Sequence, residues 1–446
     1  MNCNHLPVLV VGTGPVGLVA ALTLLQNGIS VRIIEKNLNI HIGQRASGIQ
    51  PRTLELYNFL DVPEVNNLGT PFPLVRSYKR ETMEPLELQR MLPFTEPTPA
   101  IPFFVPKLLG QDLHKMILRR HLEKYSCFVE TGTELRSFEQ SDKEVTAVLA
   151  KKQGEDEILE TLTTNWMIGA DGAKGVVRKH LGLTFQGETR DDFCFITGDI
   201  RLICAGLDRM FLSIGNGLGV SMTGPSHYVQ LTRLAKMADS SERLPVISDM
   251  LEVTTSILNT AVTTGSIGGW NNRILFMLGI HYRFSDIVLD EFASPVEGKP
   301  IDAYRVLDET YLEAGGRAPD APKLIHVYPG KSDVMILFTL YRSWCHTVLV
   351  FTPSPADATP ILAALEWCDK SIMQSAVILP SSTPATPFAS AANFVLVDQE
   401  GHAYSAYLVE ASQTKVFVVW PDGVIGAIVR DAEGVRKYFS RIFREM

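Results

Sequence analysis

Apolar and polar positions along this chain follow two rhythms in turn. Val8–Val11 is an unbroken apolar run ended by glycine, the pattern of a short strand covered on both faces. Pro15 to Leu25 is apolar at helical length, and Val31 to Lys36 carries a second strand. Pro51 is placed to start a helix bearing Leu54, Leu56 and Leu60, and Gln111-Asp112-Leu113 opens another through Leu118 and Leu122, with Asp112 as N-cap or first-turn acid. Residues 144–150 and 158–164 alternate with period two around Gln153-Gly154-Glu155-Asp156, which predicts a hairpin or meander arm. Between these elements, residues 70–106 hold repeated prolines and read as edge strands and loops. Strand patterns recur at Phe193–Leu202, Met210–Ile214 and Val220–Leu231, and a helix is expected over 245–262. Strands and helices then alternate to the end: strands at 345–351, 376–379, 393–397 and 416–419, a Pro421-Asp422-Gly423 turn into 424–429, and helices over 356–368 and 432–443. The class is α/β.

The first strand runs into Gly12-Thr13-Gly14-Pro15-Val16-Gly17, with G-x-G-x-x-G spacing. The first glycine permits a tight turn, the second lets a pyrophosphate approach the backbone, and the third lets the helix pack on the strand. The helix start then directs N–H groups at the phosphates. Glu35 closes the second strand 18 residues after Gly17, where an acid accepts a hydrogen bond from a ribose hydroxyl. Strand, turn, helix and acid together predict dinucleotide binding. Leu6 to Leu25 is apolar enough to suggest a membrane span, but three glycines and Pro15 within it argue against one.

Composition narrows this little further. The 446 residues allow two or three domains, and 46% hydrophobic with 20% charged residues fits a globular chain. A net charge of −8 without a basic stripe gives no basis for nucleic-acid or membrane-surface binding. A strand within the first ten residues leaves no room for a signal peptide, so the cytoplasm is the expected compartment. Six scattered cysteines without a C-x-x-C read as reduced and structural, with no metal site.

A second motif follows the hairpin arm. An apolar stretch from Trp166 ends in Ala170-Asp171-Gly172, followed by a helix start carrying Arg178. Asp171 thus sits at a strand's carboxyl end, where ligand crevices form, although Asp-Gly is also a common turn. Arg45 in the polar loop Gly43–Gln50 reads as a phosphate clamp, as a cap on a ring or as a solvated arginine at a helix start.

The glycine fingerprint, the Glu35-Lys36 pair, the segment GQRASGIQPRTLEL (43–56) and the Asp171-Gly172 element together resemble the flavin monooxygenases of the para-hydroxybenzoate hydroxylase and phenol hydroxylase type. The resemblance implies a Rossmann-like FAD-binding domain (1–185) with an inserted β-sheet substrate layer, to which 70–106 contribute. It implies a truncated substrate sheet at 186–240, the rest of the FAD domain and a link at 241–314, and a thioredoxin-like α/β domain at 315–446. It further implies FAD held by Gly12, Gly14, Pro15, Val16, Gly17, Glu35, Lys36, Arg45, Gln111, Asp171 and Gly172. In the family, Asp171 would reach the flavin and influence access of NAD(P)H, the transient reductant. The other partners would be O2, a small phenolic or other aromatic substrate, and a second copy of the chain.

The family's catalytic aspartate position is Ser47 here. Gly315-Gly316-Arg317-Ala318-Pro319-Asp320 matches the family's link to its last domain, and Trp344-Cys345-His346 lacks the second cysteine that thiol exchange needs, leaving a structural or dimer-supporting role. His281, in the link segment, reads as a surface or core histidine.

One family element is missing. The resemblance calls for a third flavin motif, an apolar strand ending in Gly-Asp. Gly198-Asp199 does not qualify, because Ile200-Arg201-Leu202-Ile203 continues a strand. Ser241–Ile247 resembles a segment downstream of that motif, yet only about 70 residues separate it from Asp171. The chain therefore reads as a shortened member joined near Leu231–Ser240, with the ring side of the flavin site weakened.

Overall fold

A computed structural model describes residues 6–39, 48–72, 74–78, 84–90, 92, 95–154, 156–184, 210–212, 243–264, 272–293, 303–328, 331–383 and 391–443. They fall into two compact units: Met1–Ile49, Val62–Met91 and Lys107–Lys236 in the first, and Gln50–Asp61, Leu92–Pro106 and Met237–Met446 in the second.

The first unit is organised on a six-stranded sheet. Its order is Val129–Thr131, Val31–Glu35, Leu6–Val11, Asp156–Gly169, Val145–Gln153 and Thr133–Gln140. The first four run parallel, and the last two form an antiparallel meander with Asp156–Gly169. Leu6–Val11 lies mid-sheet, so Leu9 and Val10 are fully buried, as a strand covered on both faces must be. The helix Pro15–Gln26 starts with Pro15 in its first turn and buries Gly17, Leu18, Ala21 and Leu22. The helix Gln111–Glu123 packs against it. Gly110 is that helix's N-cap, so Asp112 is a first-turn acid. On the sheet's other side, Leu9, Val11, Ile34, Leu135, Ala147, Leu149 and Val177 form one core.

Within the proline-rich region, Leu74–Tyr78 pairs antiparallel with Pro85–Arg90 and parallel with Met210–Leu212. Met210–Leu212 is the part of 186–240 that is described. The strands expected at 193–202 and 220–231, Gly198-Asp199 and the junction at 231–240 lie outside the described residues.

The second unit holds an eight-stranded sheet in the order Leu289–Asp290, Ile425–Val429, Lys415–Val419, His346–Phe351, Met373–Pro380, Phe394–Asp398, Leu324–Tyr328 and Lys331–Met335. The three strands from His346 to Asp398 are parallel; their neighbours Lys415–Val419 and Leu324–Tyr328 run antiparallel to them. Val348, Val350, Val377 and Val418 face a core closed by the helices Pro355–Ala363 and Ala432–Ile442. Leu349, Phe351, Ile378 and Phe417 face the other, with Phe59, Phe338 and Tyr407.

Three details depart from the sequence pattern. The helix expected to Cys368 ends at Ala363, because the chain then tightens into i→i+3 turns at Leu365 and Cys368. The hairpin Leu324–Met335 and the short helix His402–Ala406 carry no strong periodicity. The stretch read as a boundary at 315 runs inside the second unit: Ala314, Ala318 and Ala321 are core residues, and Arg317 is buried.

Candidate functional site

Two turns meet at the carboxyl edge of the first unit's sheet. The Val11 carbonyl accepts from Ala170 N (2.8 Å), and the Ile34 carbonyl accepts from Gly12 N (2.9 Å). The glycine turn and the Asp171 turn thus lie side by side, at the edge where open α/β sheets hold ligands.

Each glycine answers a different constraint. Gly12 has φ +104°, and a Cβ there would run into the Ala170 carbonyl. A Cβ on Gly17 would collide with the Gly12 carbonyl, so helix and strand meet backbone to backbone. Gly14 has ordinary φ −67° and nothing within 4 Å of a built Cβ. Its lack of a side chain serves no neighbour in this fold and leaves the helix start open. That helix start has no side-chain cap and no acid in its first turn, so its N–H groups remain available to an anion. Pro15 takes the first position and Val16 is exposed.

Glu35 is held at both oxygens. Oε2 accepts from Thr13 Oγ1 at 2.6 Å and Thr13 N at 3.3 Å. Oε1 accepts from Asn37 Nδ2 at 2.7 Å and Asn37 N at 3.1 Å. Burial pushes the Glu35 carboxyl upward, but the donors on Thr13 and Asn37 outweigh it and hold the group below its ordinary value. It is therefore a fixed anionic acceptor at neutral pH. Lys36 beside it is exposed. Behind Thr13, Arg119 donates from Nη2 to Thr13 Oγ1 at 3.1 Å. Burial lowers the Arg119 guanidinium, while Glu35 and Glu123 oppose that shift.

Asp171 is engaged locally. Its Oδ2 accepts from Val176 N at 2.5 Å and Val177 N at 3.1 Å, capping the helix Val176–His180. Gly172 carries the left-handed φ of +79° that the turn needs. Gln111 opens its helix half-exposed, eight residues before Arg119. Arg45 lies outside the described residues. Gly12, Gly14, Pro15, Val16, Gly17, Glu35, Asp171 and Gly172 thus share one edge of one sheet. Sequence reasoning missed Thr13, Asn37 and Arg119; the only cue was a hydroxyl inside the glycine turn.

The residues fit the adenosine-diphosphate half of a dinucleotide: two glycines a Cβ would disrupt, a third left open, an uncapped helix start and a fixed acid. Among the described residues, no three His, Cys, Asp or Glu are grouped to hold a metal, and no helix is long and apolar enough to cross a membrane.

The chain is similar to known flavin-binding proteins. Residues 5–242 match the family described as FAD binding domain. A flavin-dependent monooxygenase of Mycobacteroides abscessus is 32% identical over 210 residues, 46% of this chain and 43% of that protein. The pentachlorophenol 4-monooxygenase of Sphingobium chlorophenolicum is 30% identical over 225 residues, 48% of this chain and 39% of that one. The matched stretch thus spans less than half of each relative. Among solved structures, the flavin-dependent monooxygenase PieE, in complex with FAD and substrate, superposes with a TM-score of 0.69 over 99% of both chains at 15% identity. Aklavinone-11 hydroxylase, in a ternary complex with FAD and aklavinone, gives 0.66 over 100% of both chains at 17% identity. At such identities the likeness speaks for the fold, and the α/β architecture with its Rossmann-like sheet is the one these enzymes share. With more than half its length matched, the chain belongs to the FAD binding domain family, to which its flavin-dependent monooxygenase relatives also point.

Proposed function

We propose that this chain binds FAD and acts as an NAD(P)H-using monooxygenase on a phenolic or other aromatic substrate. The observation that carries the reading is the paired edge of the first unit: a glycine turn with no room for a side chain at Gly12 and Gly17, set against Glu35 held as an anion. The names of the relatives, a pentachlorophenol 4-monooxygenase and the aklavinone 12-hydroxylase RdmE of Streptomyces purpurascens, support an aromatic substrate class.

When bound, FAD would supply the redox chemistry of an NAD(P)H-dependent monooxygenation, in which one oxygen atom of O2 enters the aromatic substrate and the other leaves as water. This chain's own residues bind and orient. Gly14 lets a pyrophosphate come within reach of the backbone N–H groups that open the helix Pro15–Gln26, with Pro15 and Val16 in its first turn. Glu35 accepts from a ribose hydroxyl. Lys36, Arg45 and Gln111 are assigned to the same cofactor by their place in the family pattern. Asp171 and Gly172 hold the neighbouring turn in shape, and the cap on Val176 and Val177 fixes where that turn stands.

A second reading is kept because of one feature of the sequence: no apolar strand ending in Gly-Asp lies in the short stretch between Asp171 and Ser241. On that reading the chain binds FAD without hydroxylating. The deciding experiment is to purify the full chain, record flavin absorbance, and follow NADH and NADPH oxidation with a panel of phenols. Bound flavin with phenol-stimulated oxygen uptake and hydroxylated product supports the enzyme. Bound flavin without product supports the second reading, and absence of flavin refutes both. Sequencing the message across codons 225–245 tests whether the join is genuine.

A further inference from the structure

In this chain Glu35 is the end of a line of hydrogen-bonded groups that begins at Arg119. Arg119 sits on the helix Gln111–Glu123 and sends Nη2 to Thr13 Oγ1 at 3.1 Å. A guanidinium has donors only, so the threonine oxygen accepts there. The hydroxyl has one proton, which is therefore left to point elsewhere, and the acceptor in reach is Glu35 Oε2 at 2.6 Å. Thr13 is buried, so its hydroxyl has little water to turn to.

Resting on the reading that Glu35 receives the adenosine ribose of FAD, we propose that Arg119 is a positioning residue for Glu35, acting through Thr13 to set the ribose selectivity of the site. Without Arg119 the Thr13 hydroxyl can still donate to Glu35 Oε2, but its buried lone pairs lose their donor and no cation fixes its rotamer or polarises its proton, so the 2.6 Å contact loosens. The other oxygen stays with Asn37, so the carboxylate swings about that anchor rather than leaving the site. A hydroxyl that must meet the carboxylate in one direction then finds it in several. The loss falls on recognition of the ribose hydroxyl, since the phosphate contacts come from a different part of the turn. Among the described residues the Nε of Arg119 is buried without a hydrogen-bond partner, and Nη2 is committed to Thr13.

The test measures FAD affinity by flavin fluorescence, and affinities for ADP, 2′-deoxy-ADP and 3′-deoxy-ADP by calorimetry. It uses the full-length wild type, Arg119→Met, Thr13→Val, Thr13→Ser, the double variant R119M/T13V, and Glu35→Gln. The wild type is expected to prefer ADP over one deoxy analogue by roughly tenfold, the scale of a hydrogen bond to a charged group. R119M and T13V should each shrink that preference several-fold, E35Q should abolish it, the double variant should be no worse than either single one, and T13S should keep it. A ribose preference left intact in R119M, or in T13V, overturns the proposal, even if all affinities fall together, because that is the mark of a merely structural arginine. Should R119M fail to fold, Arg119→Gln takes its place in the same comparison, with the same two outcomes. A wild type that binds neither FAD nor ADP instead overturns the FAD reading itself, an outcome separable from the first.

Discussion

Arg317 and Glu55, 262 residues apart, meet at 2.7 Å from Nε to Oε1, with both side chains withdrawn from solvent. Arg52 holds the other carboxylate oxygen at 2.8 Å, and Arg317 Nη2 donates to the Ala100 carbonyl at 2.7 Å. The helix Pro51–Phe59, the loop at Ala100 and the stretch after Gly316 are thereby pinned to one another inside the second unit. Removing Arg317 leaves the buried Glu55 with Arg52 as its one cation among the described residues, and removing the Glu55 charge leaves the buried Arg317 without its carboxylate partner. Arg317→Met or Glu55→Gln is expected to cost on the order of 3–5 kcal/mol, read as a lower urea midpoint for the second unit. The double replacement R317M/E55L should recover most of that loss. A single replacement costing less than about 1 kcal/mol would mean that water reaches the pair.

Asp320 sits beside this pair, and burial pushes its carboxyl up to about 7, against the pull of the Phe338 and Ala321 N–H groups and of Arg317. A carboxyl that binds its proton more tightly when folded than unfolded favours folding most at low pH. That contribution fades as pH rises from the ordinary 3.8 through the folded value near 7. The wild type should therefore lose on the order of 3 kcal/mol between pH 4 and pH 8 from this group alone. Asp320→Asn keeps an Oδ1 acceptor for Ala321 N and Phe338 N, both at 2.8 Å in the wild type. Its stability should be flatter over that range and equal or higher at pH 8. Denaturant curves at stepped pH decide the matter, and parallel profiles for the two proteins would refute it.

Gly14 separates folding from binding. A methyl group there meets nothing within 4 Å and φ is ordinary. Gly14→Ala should cost no more than about 1 kcal/mol, the difference between glycine and alanine at an N-cap. On the proposed reading of this turn as the pyrophosphate site, it should nonetheless weaken FAD by at least about tenfold. Gly17→Ala should damage both, since its methyl meets the Gly12 carbonyl. Thermal melts of the cofactor-free chain beside FAD titrations make the comparison; unchanged affinity in G14A would count against this turn as the phosphate site.

Asp171→Ala removes the side-chain cap from the Val176–His180 helix and should cost about 1 kcal/mol. Amide exchange at Val176 and Val177 should quicken, while Asp171→Asn, which keeps an acceptor oxygen, should restore most of the protection. Protection unchanged in D171A would show that the turn stands without its cap.

Much of this was readable from the sequence where the physics is local. Gly12, Gly14, Gly17 and Glu35 announce themselves because a turn, a close approach and a strand end each demand a residue type at a fixed spacing. What was not readable depends on partners far apart. Arg119 meets Thr13 across 106 residues, and nothing in the pattern of its helix marks that face. Glu55 sits among apolar neighbours and looks like an exposed position until Arg317 is placed beside it. Asp171 was legible as a turn but not as a cap, because its acceptors' partners are the next helix's own N–H groups. The second unit's hairpin Leu324–Met335 was hidden by its edge position, where one strand meets water and the alternation blurs.

The contact between Val11 and Ala170 also sets an order of events. The turn around Gly12 is shaped on one side by a backbone made about 160 residues later, since Ala170 both bonds to Val11 and fills the space a Gly12 side chain would take. A chain emerging from the ribosome cannot complete its cofactor cradle until Asp171 has been made. Cradle assembly is thus a late, long-range step of this unit's folding, and FAD added during synthesis would be captured only after that point.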